Sequence, residues 1–448
     1  MMKSMVNFRV ILAASVTWFV SGSAHADIFH YNNVLVGERA VGLGGAFTAL
    51  ADDASGLYYN PAGIAFAQSN DISGSGNAYY KKSTEYSNVV MEHDYTETAS
   101  GMFAPFLGIL NKLDRFVPGL VCAFAMYTSD TELLNQNDRW PVVNLGSVGT
   151  KSASIQGFHR VVQLRTTTSH IALGAGYRMS GRLSVGFGLR YTTISELSQD
   201  FQQSDIVEED SASGTATVTR LTKQYQNART SLEANGLEPS FGIQMALGQS
   251  ISLGLSARKG AFVSQEQTMA TDSLQTLQTS STGVAVIAET ASAADLKTSN
   301  PLGKIPGEVR LGAAWFANPR LMACGDVSYH DPASNIPALY KMYKRNAVLN
   351  YSAGAEYYVT PSVAMRGGFF TNNDSRPSLS NSKYTGGTNV DYKGGSLFAA
   401  YIQPNSQISL GAVVQSGAGK AQKVSGSTEL KDVTSSITTF AFAATTSL

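Results

Sequence analysis

From Ile171 the chain reads IALGAGYRMSGRLSVGFGLRYTTI, and in steps of two Ile171, Leu173, Ala175 and Tyr177 fall on one face, followed by Leu183, Val185, Phe187, Leu189 and Tyr191. The opposite face carries Gly174, Gly176, Arg178, Ser184, Gly186, Gly188 and Arg190. A period of two is the side-chain period of a β-strand. The polarity is the informative part: one face is apolar without interruption, while the other holds glycine, serine and arginine. That is inverted from a soluble sandwich or propeller, whose exterior is charged and whose interior is packed, and it suits strands with lipid on one side and a polar lumen on the other. Ser180-Gly181-Arg182 supplies a hairpin turn.

The unit recurs in FGIQMALGQSISLGLSAR from Phe241, around Gly248-Gln249-Ser250, and again around Asn318-Pro319, Thr360-Pro361 and Pro404-Asn405. A sixth, longer turn is expected from Leu110 to Phe116. Long polar stretches separate these turns, near 82–98, 128–165, 196–235, 260–305, 330–347, 372–393 and 417–433, and read as loops. Short turns alternating with seven long loops predict an all-β, transmembrane antiparallel barrel of about 14 strands, short turns toward the periplasm and loops toward the cell surface. Tyr329, Tyr357-Tyr358 and Tyr401, at strand ends, suit an aromatic girdle.

The first residues change the picture by supplying an address. Lys3 and Arg9 precede an apolar run from Val10 to Val20 that closes on Ala24-His25-Ala26, the pattern of a secretory signal peptide over residues 1–26 with cleavage before Asp27. No later run has the roughly 20 apolar residues of a spanning helix, so a membrane protein built from this chain must cross with a closed barrel. Composition agrees: 43% hydrophobic residues and 42 glycines average to a mean hydropathy of -0.06, because lumen and lipid faces cancel. With Lys3 and Arg9 removed from the 33 basic residues, the 33 acidic ones lead by two, which gives no reason to expect a nucleic-acid partner. Cys122 and Cys324 fall in predicted strands and read as unpaired small hydrophobes.

Residues 27–66 do not alternate, and Ala40 to Ala67 reads AVGLGGAFTALADDASGLYYNPAGIAFA. A dinucleotide loop is excluded, because Phe47 stands at the third glycine and no βαβ unit follows. Glycine and proline breaks ahead of a barrel suit a plug folded in its lumen. AVGLGGAFTALADDASGLYYNPAG resembles the N-terminal hatch signature of the FadL-type outer-membrane family of long-chain fatty-acid and aromatic-hydrocarbon transporters, with Gly44, Gly45, Phe47, Asn60, Pro61 and Ala62 as the motif. LEPSFGIQMAL from Leu237, IPGEVRLGAAW from Ile305 and YSAGAEYYVTPSVAMRGGFF from Tyr351 are similar to later strand blocks. The resemblance implies a hatch over 27–68, a barrel over 69–448, residence in the outer membrane of a Gram-negative cell, and passive transport of fatty acids or hydrocarbons through a largely apolar lumen pocket. It further implies outer-membrane lipids, lipopolysaccharide and the barrel assembly machinery as partners. The long loops hold nothing that aligns with the family's surface loops, and Leu448 ends the chain where an aromatic residue is usual, with Phe440 and Phe442 on its face.

Four charged residues are candidate lumen or ligand contacts. Glu356 and Arg366 lie equally far from the Thr360-Pro361 turn on the lumen parity, an expected cross-strand ion pair. Arg178 and Arg190 share that parity, and a cation there can hold a carboxylate. Asp52-Asp53 reads as a cap or turn anchor. No histidine spacing suggests a metal, no cofactor is implied, and no catalytic residue is assigned. The rival readings are a general porin, an outer-membrane lipid hydrolase and an adhesin.

Overall fold

The computed structural model describes residues 29–90, 93–101, 105–140, 142–212, 217–281, 284–334, 344–383, 387–423 and 428–447. The expected signal peptide, 1–26, and Leu448 lie outside the described residues. The strands are β1 (Asp71–Val90), β2 (His93–Gly101), β3 (Phe106–Lys112), β4 (Leu120–Trp140), β5 (Val143–Val148), β6 (Lys151–Arg178) and β7 (Leu183–Asp210). There follow β8 (Thr217–Leu247), β9 (Ile251–Arg258), β10 (Ala261–Ser281), β11 (Val284–Ser299), β12 (Glu308–Asn318), β13 (Leu321–His330), β14 (Ala333–Ser334) and β15 (Lys344–Arg345). The last are β16 (Val348–Thr360), β17 (Val363–Asn372), β18 (Gly387–Gln403), β19 (Ser406–Gln422) and β20 (Lys431–Ser447).

Closure comes from β1, which pairs with β20 from Asp71↔Ser447 to Tyr86↔Val433 and, on its other side, with β3 low down and β2 higher up. With β2 and β3, β9 and β10, and β11 and β12 each counted as one strand and the short β5 left aside, the wall is a closed antiparallel barrel of 14 strands. Closure leaves no ladder edge at membrane level, the condition for crossing hydrocarbon with strands. The alternation is as read: Leu173 is 58% exposed, Phe187 56% and Leu397 63%, while Ser184 and Ala364 between such residues are fully buried. Tyr329, Tyr357 and Tyr401 face outward. Tyr358 does not, because consecutive strand residues point to opposite faces.

Two expectations are corrected. The stretches 82–98, 128–165, 196–235 and 260–305 are not loops: most of their residues continue as strand, so that β1 runs to Val90 and β2 starts at His93, β6 and β7 run 28 residues each and β8 runs 31. That is about three times the 9–11 residues needed to cross a bilayer. β10 and β11 extend this upper sheet. Above the membrane neither face meets lipid, so Ser-, Thr- and Gln-rich strands keep their ladders while losing the apolar face that made lower strands visible. The first tight turn is also later than expected, spanning 113–119, since Leu110 is still paired, with Asp71 and Ala123.

Inside the wall lies the segment Phe29–Ala67, with a short helix α1 (Glu38–Gly42), a second, α2 (Gly56–Tyr59), and a 3-10 turn, Gly63–Phe66. Helices of five and four residues are too short to persist alone. Their stability comes from a shared core in which Val36, Leu43, Phe47, Leu50 and Ile64 pack with Phe106, Leu110, Val121, Ala314 and Met322 of the strands.

Candidate functional site

The strands' inner face is small because the N-terminal segment presses on it. A Cβ at Gly186 would lie 2.3 Å from the Pro61 carbonyl carbon, one at Gly242 2.0 Å from Asn60 Oδ1, and one at Gly368 2.2 Å from Gly44 N. Gly44 itself has φ +66 and a virtual Cβ 2.9 Å from Phe369 N, so both its conformation and its closeness to the wall require glycine.

Short irregular turns leave carbonyls without intrahelical donors, and wall side chains supply them. Ser252 donates to Ala49 O at 2.6 Å, Ser256 to Tyr59 O at 2.6 Å, Ser184 to Ala62 O at 2.8 Å and Ser396 to Gly42 O at 2.9 Å. Asn60 binds both ways: Nδ2 donates to Thr48 O at 2.8 Å and to Ile243 O at 3.2 Å, while Oδ1 accepts from Ala62 N at 3.1 Å. Asp326 Oδ2 accepts from the amides of Phe47 and Thr48 at 2.9 and 2.8 Å.

A charge network fastens α1. Glu356 and Arg366 face each other across β16 and β17, with Nε 2.6 Å from Oε2. Arg366 Nη1 also reaches Glu38 at 2.5 Å, and Arg39 Nη2 reaches Glu356 at 2.8 Å. Arg39 continues to Asp52 at 3.2 Å, and Gln407 donates to Glu38. Asp53 instead accepts from Ser55 N at 2.7 Å, an Asx turn. Burial and the neighbouring Asp52 raise its pKa to about 6.

On the side away from the tight turns lies a cavity of about 130 Å³ with Tyr58 in its lining. Charged and hydrogen-bonding side chains line it together with Ile194, Phe262, Ile305 and Pro306, and somewhat more of its surface is apolar than polar. Arg190 pairs with Glu238 and donates to Tyr127 Oη at 3.3 Å; Arg258 pairs with Glu308, as does Arg310. The guanidiniums of Arg258 and Arg310 lie 4.9 and 5.1 Å from the Tyr58 ring centroid, which they fix by cation–π contact. In β4 the register shifts between Thr128 and Asp130, a bulge that leaves Ser129 as the extra residue. Its Oγ lies 2.7 Å from His170 Nε2, His170 Nδ1 lies 2.9 Å from Thr192 Oγ1, and Thr192 donates to Glu238.

Beside the bulge Thr128 N donates to Pro105 O at 3.2 Å, and above it the described ladder between β2 and β4 is sparse. β3 pairs with β4 continuously from Phe106↔Tyr127 to Lys112↔Val121. Among the described residues, β2 meets β4 at the single pair Ala99↔Leu134. Above it the Gln136 side chain spans the seam, accepting from Thr98 N at 3.1 Å and donating to Thr96 O at 2.7 Å.

The residues singled out in the sequence therefore fall in different places. Arg190 lines the cavity. Arg178 does not: it donates to Ala65 O at 2.6 Å and lies over Phe66. Glu356 and Arg366 hold α1; Gly44, Phe47, Asn60, Pro61 and Ala62 meet the wall, while Gly45 is buried within the N-terminal segment against Leu35 and Tyr59. Sequence reading passed over Glu38, Arg39, Ser129, His170, Glu238, Arg258, Glu308 and Arg310. Arg258, Glu308 and Arg310 share the inward parity of Ser256 and Gly312, which was the available signal.

No protein-family model and no curated protein matches the chain. Solved structures do. A FadL homologue from Pseudomonas aeruginosa superposes with a TM-score of 0.56 at 12% identity, covering 95% of this chain and 100% of its own. The toluene transporter TodX of P. putida gives 0.56 at 13%, covering 92% and 99%, and the toluene transporter TbuX of Ralstonia pickettii gives 0.55 at 12%, covering 93% and 99%. The architecture is that of these outer-membrane β-barrels. Within that class it has the FadL-type fold over nearly the whole chain.

Proposed function

We propose that the protein is an outer-membrane channel for passive uptake of small hydrophobic or amphiphilic molecules, with residues 27–68 acting as a hatch in the 69–448 barrel. One observation carries the reading: the N-terminal segment is buried against the inner wall from Val36 to Ala67, with a ligand-sized cavity beside it. The FadL homologue and the toluene transporters of like fold support the class of cargo. A molecule entering from the surface reaches the cavity at Tyr58. It leaves beside the hatch, at the foot of the β2–β4 seam where Pro105 and Phe106 adjoin Tyr127 at the top of the membrane-level wall, which supports a sideways exit into the bilayer. Passage needs no chemical energy. In cells lacking the protein, uptake of labelled toluene, benzoate and palmitate is compared with uptake after complementation. Protein-dependent uptake of at least one supports the reading; equal uptake of all three with and without the protein defeats it. A general porin would conduct steadily in planar bilayers, whereas the hatched barrel is expected to show little open conductance.

One observation favours a second reading, an acyl hydrolase: Ser129, His170, Thr192 and Glu238 hydrogen-bond in the order of a nucleophile, a base and its orienting groups. Against it, Arg190 and Arg258 line the same cavity and oppose the imidazolium that a general base must become. Ester hydrolysis by the purified protein that disappears in Ser129→Ala would reverse this choice.

A further inference from the structure

The cavity's size and its unsatisfied donors name a narrower cargo. Resting on the channel reading above, we infer that the ligand is a single-ring carboxylate rather than a bare hydrocarbon or a long acyl chain. An engineered apolar cavity of about 150 Å³ holds one benzene, so about 130 Å³ takes one ring and leaves most of a long chain outside. A bare hydrocarbon would be badly matched, because it would cover polar groups without pairing them.

The donors are specific. Arg345 is 5% exposed and lines the cavity. It has no carboxylate within ion-pair distance among the described residues; Nη2 donates to the carbonyls of Leu302 and Lys304, and Nε has no partner. His330, 2% exposed, also lines the cavity, and its Nε2 lies 3.6 Å from Glu308 without a hydrogen bond. Tyr31 stacks on His330 with centroids 3.9 Å apart and planes 11° apart, so the imidazole cannot turn to another acceptor without losing that stack. Beside the carbonyls that hold Arg345, Ile305 and Pro306 join Phe262 and Ile194 in an apolar stretch of the lining. A cation with a free Nε next to an apolar wall suits a molecule with an anionic oxygen at one end and a ring at the other. Arg190 and Arg258 are already paired with Glu238 and Glu308, which leaves Arg345 as the arginine of the lining free to take an incoming carboxylate.

The test uses the full chain in lipid nanodiscs and isothermal titration with four probes: benzoate, toluene, benzylamine and palmitate. Benzoate is expected to bind at least tenfold more tightly than toluene or benzylamine. Arg345→Ala is expected to weaken benzoate about ten- to a hundredfold, the size of one hydrogen bond to a charged group, and to leave toluene unchanged; Arg345→Lys is expected to recover part of the loss. Equal or tighter binding of toluene, benzylamine or palmitate overturns the inference, as does failure of benzoate to bind. If benzoate fails while toluene or palmitate uptake remains protein-dependent, only the carboxylate inference falls and the channel reading stands. Loss of all protein-dependent uptake removes both.

Discussion

Replacing Arg366 by Met tests whether the charge network holds the hatch or merely neutralises charge in the lumen. Arg366 is 1% exposed and bonds Glu356 and Glu38 together, one on the wall and one on α1. Removing one partner of a buried pair costs about 3 to 5 kcal/mol, because the remaining charge stays desolvated. Glu356 keeps Arg39 and Glu38 keeps Gln407, so the lower end, about 3 kcal/mol, is the better figure, and it corresponds to roughly a hundredfold shift in the ratio of docked to undocked segment. The loss falls on docking and not on the wall, where β16 and β17 pair from Ser352↔Phe370 to Thr360↔Val363 without this side chain. Planar-bilayer conductance should therefore rise, with bursts of opening absent from the parent. The folded barrel's resistance to SDS without boiling should be unchanged. Adding Glu38→Gln to Arg366→Met should return much of the quiet baseline, because the stranded carboxylate is gone. A silent single variant, or one that loses the barrel while the double variant does not recover, refutes the reasoning.

Two further outcomes follow from the same geometry. Asp53 has its pKa raised to about 6, above the usual value of about 3.9, so its contribution to hatch stability is complete below about pH 4 and is lost as pH rises through about 6; proteolytic protection of the 36–67 segment should weaken from pH 5 to pH 7, and Asp53→Asn should flatten that profile. Ala99 and Leu134 are direct partners, close enough for a disulfide, so an Ala99→Cys, Leu134→Cys clamp across the seam should cut uptake and reductant should restore it; unchanged uptake in the oxidised form rules out the sideways route.

The barrel was legible where one face meets lipid. Leu173, Phe187 and Phe241 alternate with Gly174, Ser184 and Gly242, and that contrast is a direct imprint of two solvents. It fades above the membrane, where the polar upper turns of β7 and β8 read as loops although their ladders continue from Asp200↔Ala228 to Asp210↔Thr217. The cavity was less legible for a different reason. Arg190 was found by parity, but its meaning depends on Glu238, which lies 48 residues away in sequence and opposite it in register. Arg178, of identical parity, is taken up by Ala65 O. Parity tells which way a side chain points; it does not tell what has been folded into the space it points at.

On the channel reading proposed above, the relation between the two cavities says which part of the N-terminal segment has to move. Next to the ring-sized space at Ser129 and Asp130, the adjoining bulge residues Tyr127 and Thr128 line a second void with Val34, Leu35, Gly37 and Glu38 of the hatch and with Pro105 and Phe106 at the foot of the seam. Its volume is about 20 Å³, room for about one water and far too small for a ring. Passage from cavity to seam therefore requires the 34–38 stretch to withdraw. Gly37 has φ +89, and a Cβ there would meet Ser55 at 2.4 Å, so this joint is free of side-chain bulk yet tightly seated. Glu38 and Arg39, the residues immediately after it, are those tied to Glu356 and Arg366. Polar ties of this kind can be exchanged for water as α1 lifts, whereas the apolar packing of Phe47 and Ile64 cannot be exposed so cheaply. The mobile part of the hatch is thus expected to be its first turn, pivoting at Gly37, with the Asn60 end staying fixed to the wall.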